Sequence, residues 1–531
     1  MVSINKTLGG NKMSRKNQKG LVLVLAVVMA LSMMLTGCGS TPATPSASTT
    51  VAAGTSTAAA STAAPELAPY EISWLFPNGA QADVDLVAAE MSKITKEKIN
   101  ATLKMTIIDW GSYAQNLQIK MASAEPMDLI WTDGGTLPYL PSVNKGAFAE
   151  ITQDMLTQYG PNILKGVPEA CWPAAKVNGK LYAIINTQVE GRTPGILFQK
   201  KFVDQFGLDL TKVTKLEDLT DFYTKVHASD PTLVPFEVAQ SNSGGIFFNE
   251  YSSTLGIELL GRQNPAAVYI SDDTTKVMNY FAAPETKAYL KLMHEWYLKG
   301  IIKKEAPMLK DVTPDQKAGK TISIPTVVNP DTAANQAAKL NLKAADMASL
   351  TFSKTFMNTA SIIATMTAIS KTSKDPNRCI MLYNLLYDDK DTKLFNMMNY
   401  GIEGKHYTLK DDVATFVANS GYMLASGWEN GNMFNSYRQS DVQPKWYPVG
   451  PDMNNSATVS KLLGFNLNPE PIKNELAQIA SVVDEYYGGL FTGVADPDVA
   501  LPKFLEKLKG AGADTIVAET QTQIDAWKKT K

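Results

Sequence analysis

Histidine is scarce in this chain: three among 531 positions, His227, His294 and His406. A multi-histidine metal centre has too few ligands to draw on. His294-Glu295 opens like the zinc helix of a metalloprotease, but the second histidine of that motif would fall at 298, where Leu298 stands. Cysteine is equally sparse, with Cys38, Cys171 and Cys379 only. Two distant cysteines past Cys38 are no disulfide framework, and buried free thiols are the expectation for Cys171 and Cys379. There is no excess of either charge; the formal net charge of -2 argues against nucleic acid as the main partner.

The usual catalytic motifs are missing as well. Gly319-Lys320-Thr321 mimics the end of a phosphate-binding loop, but the glycine that should open that loop is replaced by Pro314. No Gly-x-Ser-x-Gly nucleophile elbow occurs. The acid pairs Asp83 and Asp85, and Asp388 and Asp389, read as solvated surface. A glycosidase needs two carboxylates facing one bond, a geometry that spacing alone does not reveal. The reading is therefore a non-enzyme with no cofactor and no metal.

Long hydrophobic runs are limited to one, Leu21 to Met34, shorter than the ~20 residues of a bilayer-spanning helix. Lys6, Lys12, Arg15, Lys16 and Lys19 precede it without an acidic residue, as in a secretory signal. Leu35-Thr36-Gly37-Cys38 follows and resembles a bacterial lipobox, in which the cysteine sulfur takes a diacylglycerol and becomes the mature N-terminus. Met13 opens a more usual signal than Met1. Residues 39–69 are rich in Ser, Thr, Ala and Pro, lack aromatics and carry only Glu66 as a charge. Such a segment cannot bury enough apolar surface to offset its ordering entropy and reads as a flexible tether.

The remainder is globular in composition, 44% hydrophobic and 19% charged, and long enough for two domains. Tyr70 to Phe76 reads as a strand and residues 83–99 as a helix. Leu103 to Ile108 is a second strand, Tyr113 to Ala122 a helix and Met127 to Trp131 a third strand. That alternation predicts a parallel sheet with crossover helices, whose ligands meet the loops at the carboxyl ends of the strands. A second βα pattern starts with a strand at Gly195 to Gln199 and a helix at Lys200 to Phe206. Ala360 to Ser370 reads as a strand returning to the first lobe. Three helices close the chain, at 474–487, 497–510 and 513–527, with Gly488-Gly489 read as a stop.

Several blocks recur together in one family: the lipobox and tether, Phe76-Pro77-Asn78-Gly79, Lys200 to Asp209, Ser370 to Pro376 and the Tyr400 to Tyr407 loop. The chain resembles the extracellular solute-binding proteins of ABC importers, family 1 (maltose-binding-like). More narrowly it resembles the large Gram-positive lipoproteins known as LplA or LipO, with Gly464 to Trp527 matching their C-terminal domain of unknown function. The resemblance implies an α/β, two-lobe periplasmic-binding-protein-like fold of type II, with mixed sheets flanked by helices and a ligand cleft at the hinge. Residues 70–187 with 358–410 would form one lobe. Residues 188–357 with 411–531 would form the other, including the C-terminal helices. It implies capture of an oligosaccharide and delivery to ABC permease subunits by a monomer held on the outer face of the membrane through lipid at Cys38. Binding of peptides or other solutes is the alternative, and a secreted glycan-active enzyme a more remote one.

Sugars present flat C–H faces and many hydroxyls, which suit aromatic platforms beside amides and carboxylates. At the strand ends such groups are Asn78, Trp110, Trp131 and Asp133. Trp428 and Asn432 form a later cluster, Tyr182 and Asn186 lie at the proposed crossing, and Trp296 sits on a helix beside Tyr297. Core packing competes as the reading for each tryptophan. The expected ligand is a neutral or weakly acidic oligosaccharide.

Overall fold

The computed structural model describes residues 67–238, 244–261, 263–309, 312–424 and 426–530. The signal, Cys38 and the tether lie outside the described residues. No helix among the described residues is long and apolar enough to cross a membrane.

The first sheet is built where the sequence alternates. Tyr70–Pro77 (β1) pairs in parallel with Ala101–Ile108 (β2) and with Leu129–Thr132 (β3). Val84–Ile99 (α1) makes the first crossover and buries Val87, Ala88, Met91, Thr95 and Ile99 at helical spacing. It stops at Asn100, whose left-handed backbone (φ 46°) closes the last turn. Trp110–Ala122 (α2) makes the second crossover. It starts at Trp110, three residues before the sequence reading, because the Asp109 side chain accepts a hydrogen bond from the Gly111 amide and caps the helix there. The sheet is completed by Met366–Ile369, antiparallel to both β3 and Ala183–Ile185, in the order β2, β1, β3, 366–369, 183–185. Of the stretch read as one strand from Ala360, residues Thr359–Ile362 form a helical turn and only Met366–Ile369 is strand. The Asn358 side chain caps that turn by accepting from the Ser361 amide.

The second sheet is antiparallel around Pro194–Gln199, which pairs with Thr321–Val327 on one side and Met347–Thr351 on the other. Val234–Phe236 adds in parallel beyond Thr321–Val327. Each sheet has its own core. Trp74, Phe76, Trp131, Ile184, Ile369 and Tyr383 belong to the first. Ile196, Phe198, Tyr223, Phe236 and Trp296 belong to the second.

The C-terminal helices Lys473–Phe491, Pro497–Gly510 and Ala513–Lys528 pack Ile479, Phe491, Phe504, Ile516 and Ile524 into the second core. Gly488-Gly489 does not stop the first of them. Leu490 and Phe491 are fully buried one residue further on, and their packing outweighs the weak helix propensity of two glycines. Tyr422 and Leu424, in the stretch read with the second lobe, pack in the first core.

Three segments run between the two cores. Arg192 bridges Phe356 in antiparallel fashion, and Phe356–Met357 pairs in parallel with Thr458–Val459. They approach so closely at Gly191 that a Cβ there would lie 2.3 Å from Thr355 Cγ2 and 2.9 Å from the Phe356 carbonyl oxygen. Glycine is the one residue that fits this approach without displacing backbone.

Candidate functional site: a cleft and a tryptophan cluster

A cleft of about 1160 Å³ lies beside the crossing, larger than the ~300–1,000 Å³ of ordinary small-ligand pockets. The first sheet contributes the turn after β3, with Asp133 and Thr136, and the stretch from Ala360 to Ala364. From the other side of the crossing come Asn249, Glu250, Glu258 and Gln263, together with Asp484 and Tyr487 of the Lys473–Phe491 helix. The crossing itself contributes Arg192 and Phe356. A ligand seated there would touch elements of both cores.

Asp133 is the one sequence-predicted candidate that lines this cleft. Its carboxylate accepts from the backbone amides of Thr136 (2.9 Å) and Leu137 (2.8 Å), which fixes its direction at the end of β3. Each carboxylate oxygen has further lone pairs for hydroxyl donors.

Four other candidates converge on one another instead. Trp110 and Trp428 stack at 5.9 Å with 21° between planes, and Trp131 meets both edge-on at 5.4 and 6.4 Å. Trp131 is the floor: it is 1% exposed, and its indole N–H donates to Thr365 Oγ1 at 2.8 Å. Trp110 is the open face, 38% exposed. Asn78, at the end of β1, donates its amide to Ser426 Oγ (3.1 Å) and to both oxygens of Glu429 (3.3 Å each). The cluster adjoins the cleft along two strands. Trp131 lies two residues before Asp133, and Thr365 directly follows the cleft residue Ala364.

Glu429 enters the cluster through Asn78. It is 1% exposed, and burial pushes its carboxyl up to about 8, the hydrogen bonds from Asn78 and Ser426 opposing the rise. At neutral pH a share of these carboxyls is protonated beside the indoles. Its adjacency to Trp428 was the available signal; its pairing with Asn78, 351 positions away, was not readable.

The remaining candidates are committed elsewhere. The Asn186 side chain is buried and donates to Thr365 Oγ1 (3.0 Å) and to the Glu429 carbonyl, while its oxygen accepts from the Gly431 amide. Asn432 is buried too; it accepts from the Phe434 amide and donates to the Tyr447 hydroxyl at 2.9 Å. Both lock the 429–434 loop to the crossing. Tyr182 packs half-buried against the first core, its amide donating to the Tyr139 hydroxyl. Trp296 lies in the second core, fully buried, with its indole N–H on Thr220 Oγ1 at 2.9 Å, and lines neither the cleft nor the cluster. Cys171 and Cys379 are free and buried. Glu190, on the first crossing segment, is 1% exposed, and one of its carboxylate oxygens finds no protein partner. Burial raises its carboxyl to about 8.

Two lobes, each with its own sheet and core, joined by three crossings beside an open cleft, define the type II solute-binding fold. Known proteins agree. Residues 461–529 match the model of DUF3502, a domain of unknown function. The chain is 27% identical over 455 residues to a carbohydrate ABC transporter substrate-binding protein of Streptococcus pneumoniae, covering 85% of this chain and 89% of that one. Among solved structures, the N-glycan transport solute binding protein NgtS of Streptococcus pneumoniae matches with a TM-score of 0.75 at 24% identity, over 87% of this chain and 100% of that one. The alginate-binding protein AlgQ2 matches with a TM-score of 0.54 at 17% identity, over 86% and 98%. The sequence resemblance to solute-binding proteins of ABC importers, and the fold it implied, are thus borne out. The curated relative is named as a transport protein.

Proposed function

We propose that this protein is an extracellular receptor that captures an oligosaccharide between its two lobes and hands it to the permease subunits of an ABC importer, without catalysis. The observation that carries this reading is the cleft, larger than a monosaccharide requires and lined by elements of both lobes, with an aromatic cluster adjoining its Asp133 end. The name of the curated relative supports a carbohydrate ligand.

In this reading residues 70–187 with 358–410 are essentially one lobe and 188–357 with the C-terminal helices the other; Tyr422 and Leu424 extend the first. Closure bends the three crossings. Trp110 and Trp428 offer ring faces to the sugar, while Trp131, Asn78 and Glu429 hold them in place. The receptor works as a monomer tethered through lipid on Cys38, and two acyl chains give stable anchoring at ~0.8 kcal/mol per buried methylene.

A thermal-shift screen of manno-, cello-, xylo- and chito-oligosaccharides, followed by calorimetry on the hits, tests the assignment. One class should stabilise the protein and bind without release of new reducing ends. Turnover would replace this reading with an enzyme, and stabilisation by peptides alone would replace it with a peptide receptor. Mass spectrometry of the mature N-terminus should find diacylated Cys38.

A further inference from the structure

The cleft's charge is lopsided. Asp133, Glu250, Glu258 and Asp484 all line it, whereas Arg192 is the one cation among its described lining residues. That cation is already engaged: Arg192 Nε lies 3.8 Å from Glu250 Oε2. The other acids are held by neutral donors. Asp133 accepts from two backbone amides, Glu258 from Ser460 Oγ (2.6 and 2.8 Å) and Asp484 from Gln263 Nε2 (2.9 Å). Among the described lining residues no arginine fork stands ready for a bidentate carboxylate, the usual means of recognising that group.

The acids that remain ionised offer acceptors only. Sugar hydroxyls and ammonium groups donate to acceptors, so they suit this lining. A uronate or sialyl carboxylate brings a second set of acceptors and the same charge. Solvent and partial neutralisation soften the conflict without reversing it, and like-charge juxtaposition in a closed site is a standard way to reject a wrong ligand. The fold does not decide the matter, because its members include an alginate-binding protein and alginate is a polyuronate. The side chains in the cleft must decide it.

We propose that this receptor discriminates by charge: its cleft admits neutral or amine-bearing glycans and rejects glycans whose sugar rings carry carboxylates. The proposal rests on the oligosaccharide reading above and narrows it. Asp484 and Glu250 are the specificity-determining residues. Asp484 is exposed on the Lys473–Phe491 helix, and its replacement leaves the core untouched.

The test uses matched ligands. The neutral oligosaccharide that gives the largest thermal shift is compared by calorimetry with its derivative oxidised at C6 to uronate, and with the neutral amide of that derivative. The uronate should bind roughly tenfold or more weakly, and the amide should recover most of the loss. The gap should shrink as salt rises and should narrow in Asp484→Asn and in the double variant with Glu250→Gln. A uronate that binds as tightly as its neutral parent overturns the proposal and leaves the oligosaccharide reading standing. An amide as weak as the uronate also overturns it, by assigning the loss to the C6 hydroxyl. If no glycan of any charge shifts the melting temperature, the parent reading fails and this one with it.

Discussion

Two clusters of aromatic rings in this molecule use similar parts for different ends. One joins Trp110 and Trp131, at the ends of β2 and β3, to Trp428. The other joins Trp296, Tyr223 and Phe236 under the second sheet, with centroids 5.0 to 5.2 Å from the indole. Each has an indole N–H donated to a threonine hydroxyl. They differ in what surrounds the rings. The second is sealed on every side. The first leaves Trp110 open to solvent with Asn78 and Glu429 nearby, whereas in the second the one ring hydroxyl, that of Tyr223, is buried against Ser323 Oγ. Aromatic content therefore does not distinguish a platform from a core; an open ring face with polar groups at its edge does.

Replacing Trp296 should sharpen this contrast most. Trp296→Ala removes a fully buried ring and should cost about 3–5 kcal/mol of stability, read from denaturant unfolding. Calorimetry well below the melting transition should find ligand affinity unchanged. A selective loss of binding would erase the contrast.

Glu429 comes next. Its folded carboxyl sits at about 8, above the ordinary 4.5. The folded state then binds more protons than the unfolded state between those values, so this group's contribution to stability is full below about 4.5 and is lost as pH rises to about 8. Glu429→Gln removes that titration. Its stability relative to wild type should rise on the order of 3 kcal/mol from pH 5 to pH 8, measured by unfolding at both values. A constant offset would mean that Glu429 is ionised throughout and hydrated, unlike anything in the sealed cluster.

Trp110→Ala should act on binding rather than on folding. Loss of the exposed stacking face should weaken a bound oligosaccharide about tenfold, near 1.4 kcal/mol, and shift the melting temperature little. An unchanged dissociation constant would reassign Trp110 to surface packing. The smallest effect belongs to Trp131→Phe, which keeps most of the ring but leaves Thr365 without its indole donor. It should cost about 1 kcal/mol of stability and weaken binding less than Trp110→Ala does.

The sequence reading reached the first lobe's alternation because burial there repeats with the period of each element: β1, α1 and β2 were found to within about two residues of where they lie. It found the strand-end loops for the same reason. It could not separate ligand-facing amides from structural ones. Asn186 and Asn432 look alike in a loop, yet both are used up in bonds that depend on how the crossing meets the 429–434 loop. The contact of Asn186 with Thr365 spans 179 positions. The cleft's acids were equally hidden, since Glu250, Glu258 and Asp484 sit on elements with no local mark of a site. Their meeting is a property of the crossing, and periodicity carries no information about it.

The two described cysteines have a practical consequence. Cys171 and Cys379 have no exposed surface, and burial pushes both thiols far up, suppressing the thiolate that reacts with alkylating reagents. Neither should compete for a maleimide dye while the protein is folded. A single cysteine introduced at Ser253, on the rim of the cleft, would therefore label selectively in a chain that starts after Cys38. An environment-sensitive fluorophore placed there would turn this receptor into a reagentless optical sensor for its own ligand, with the native thiols left in place.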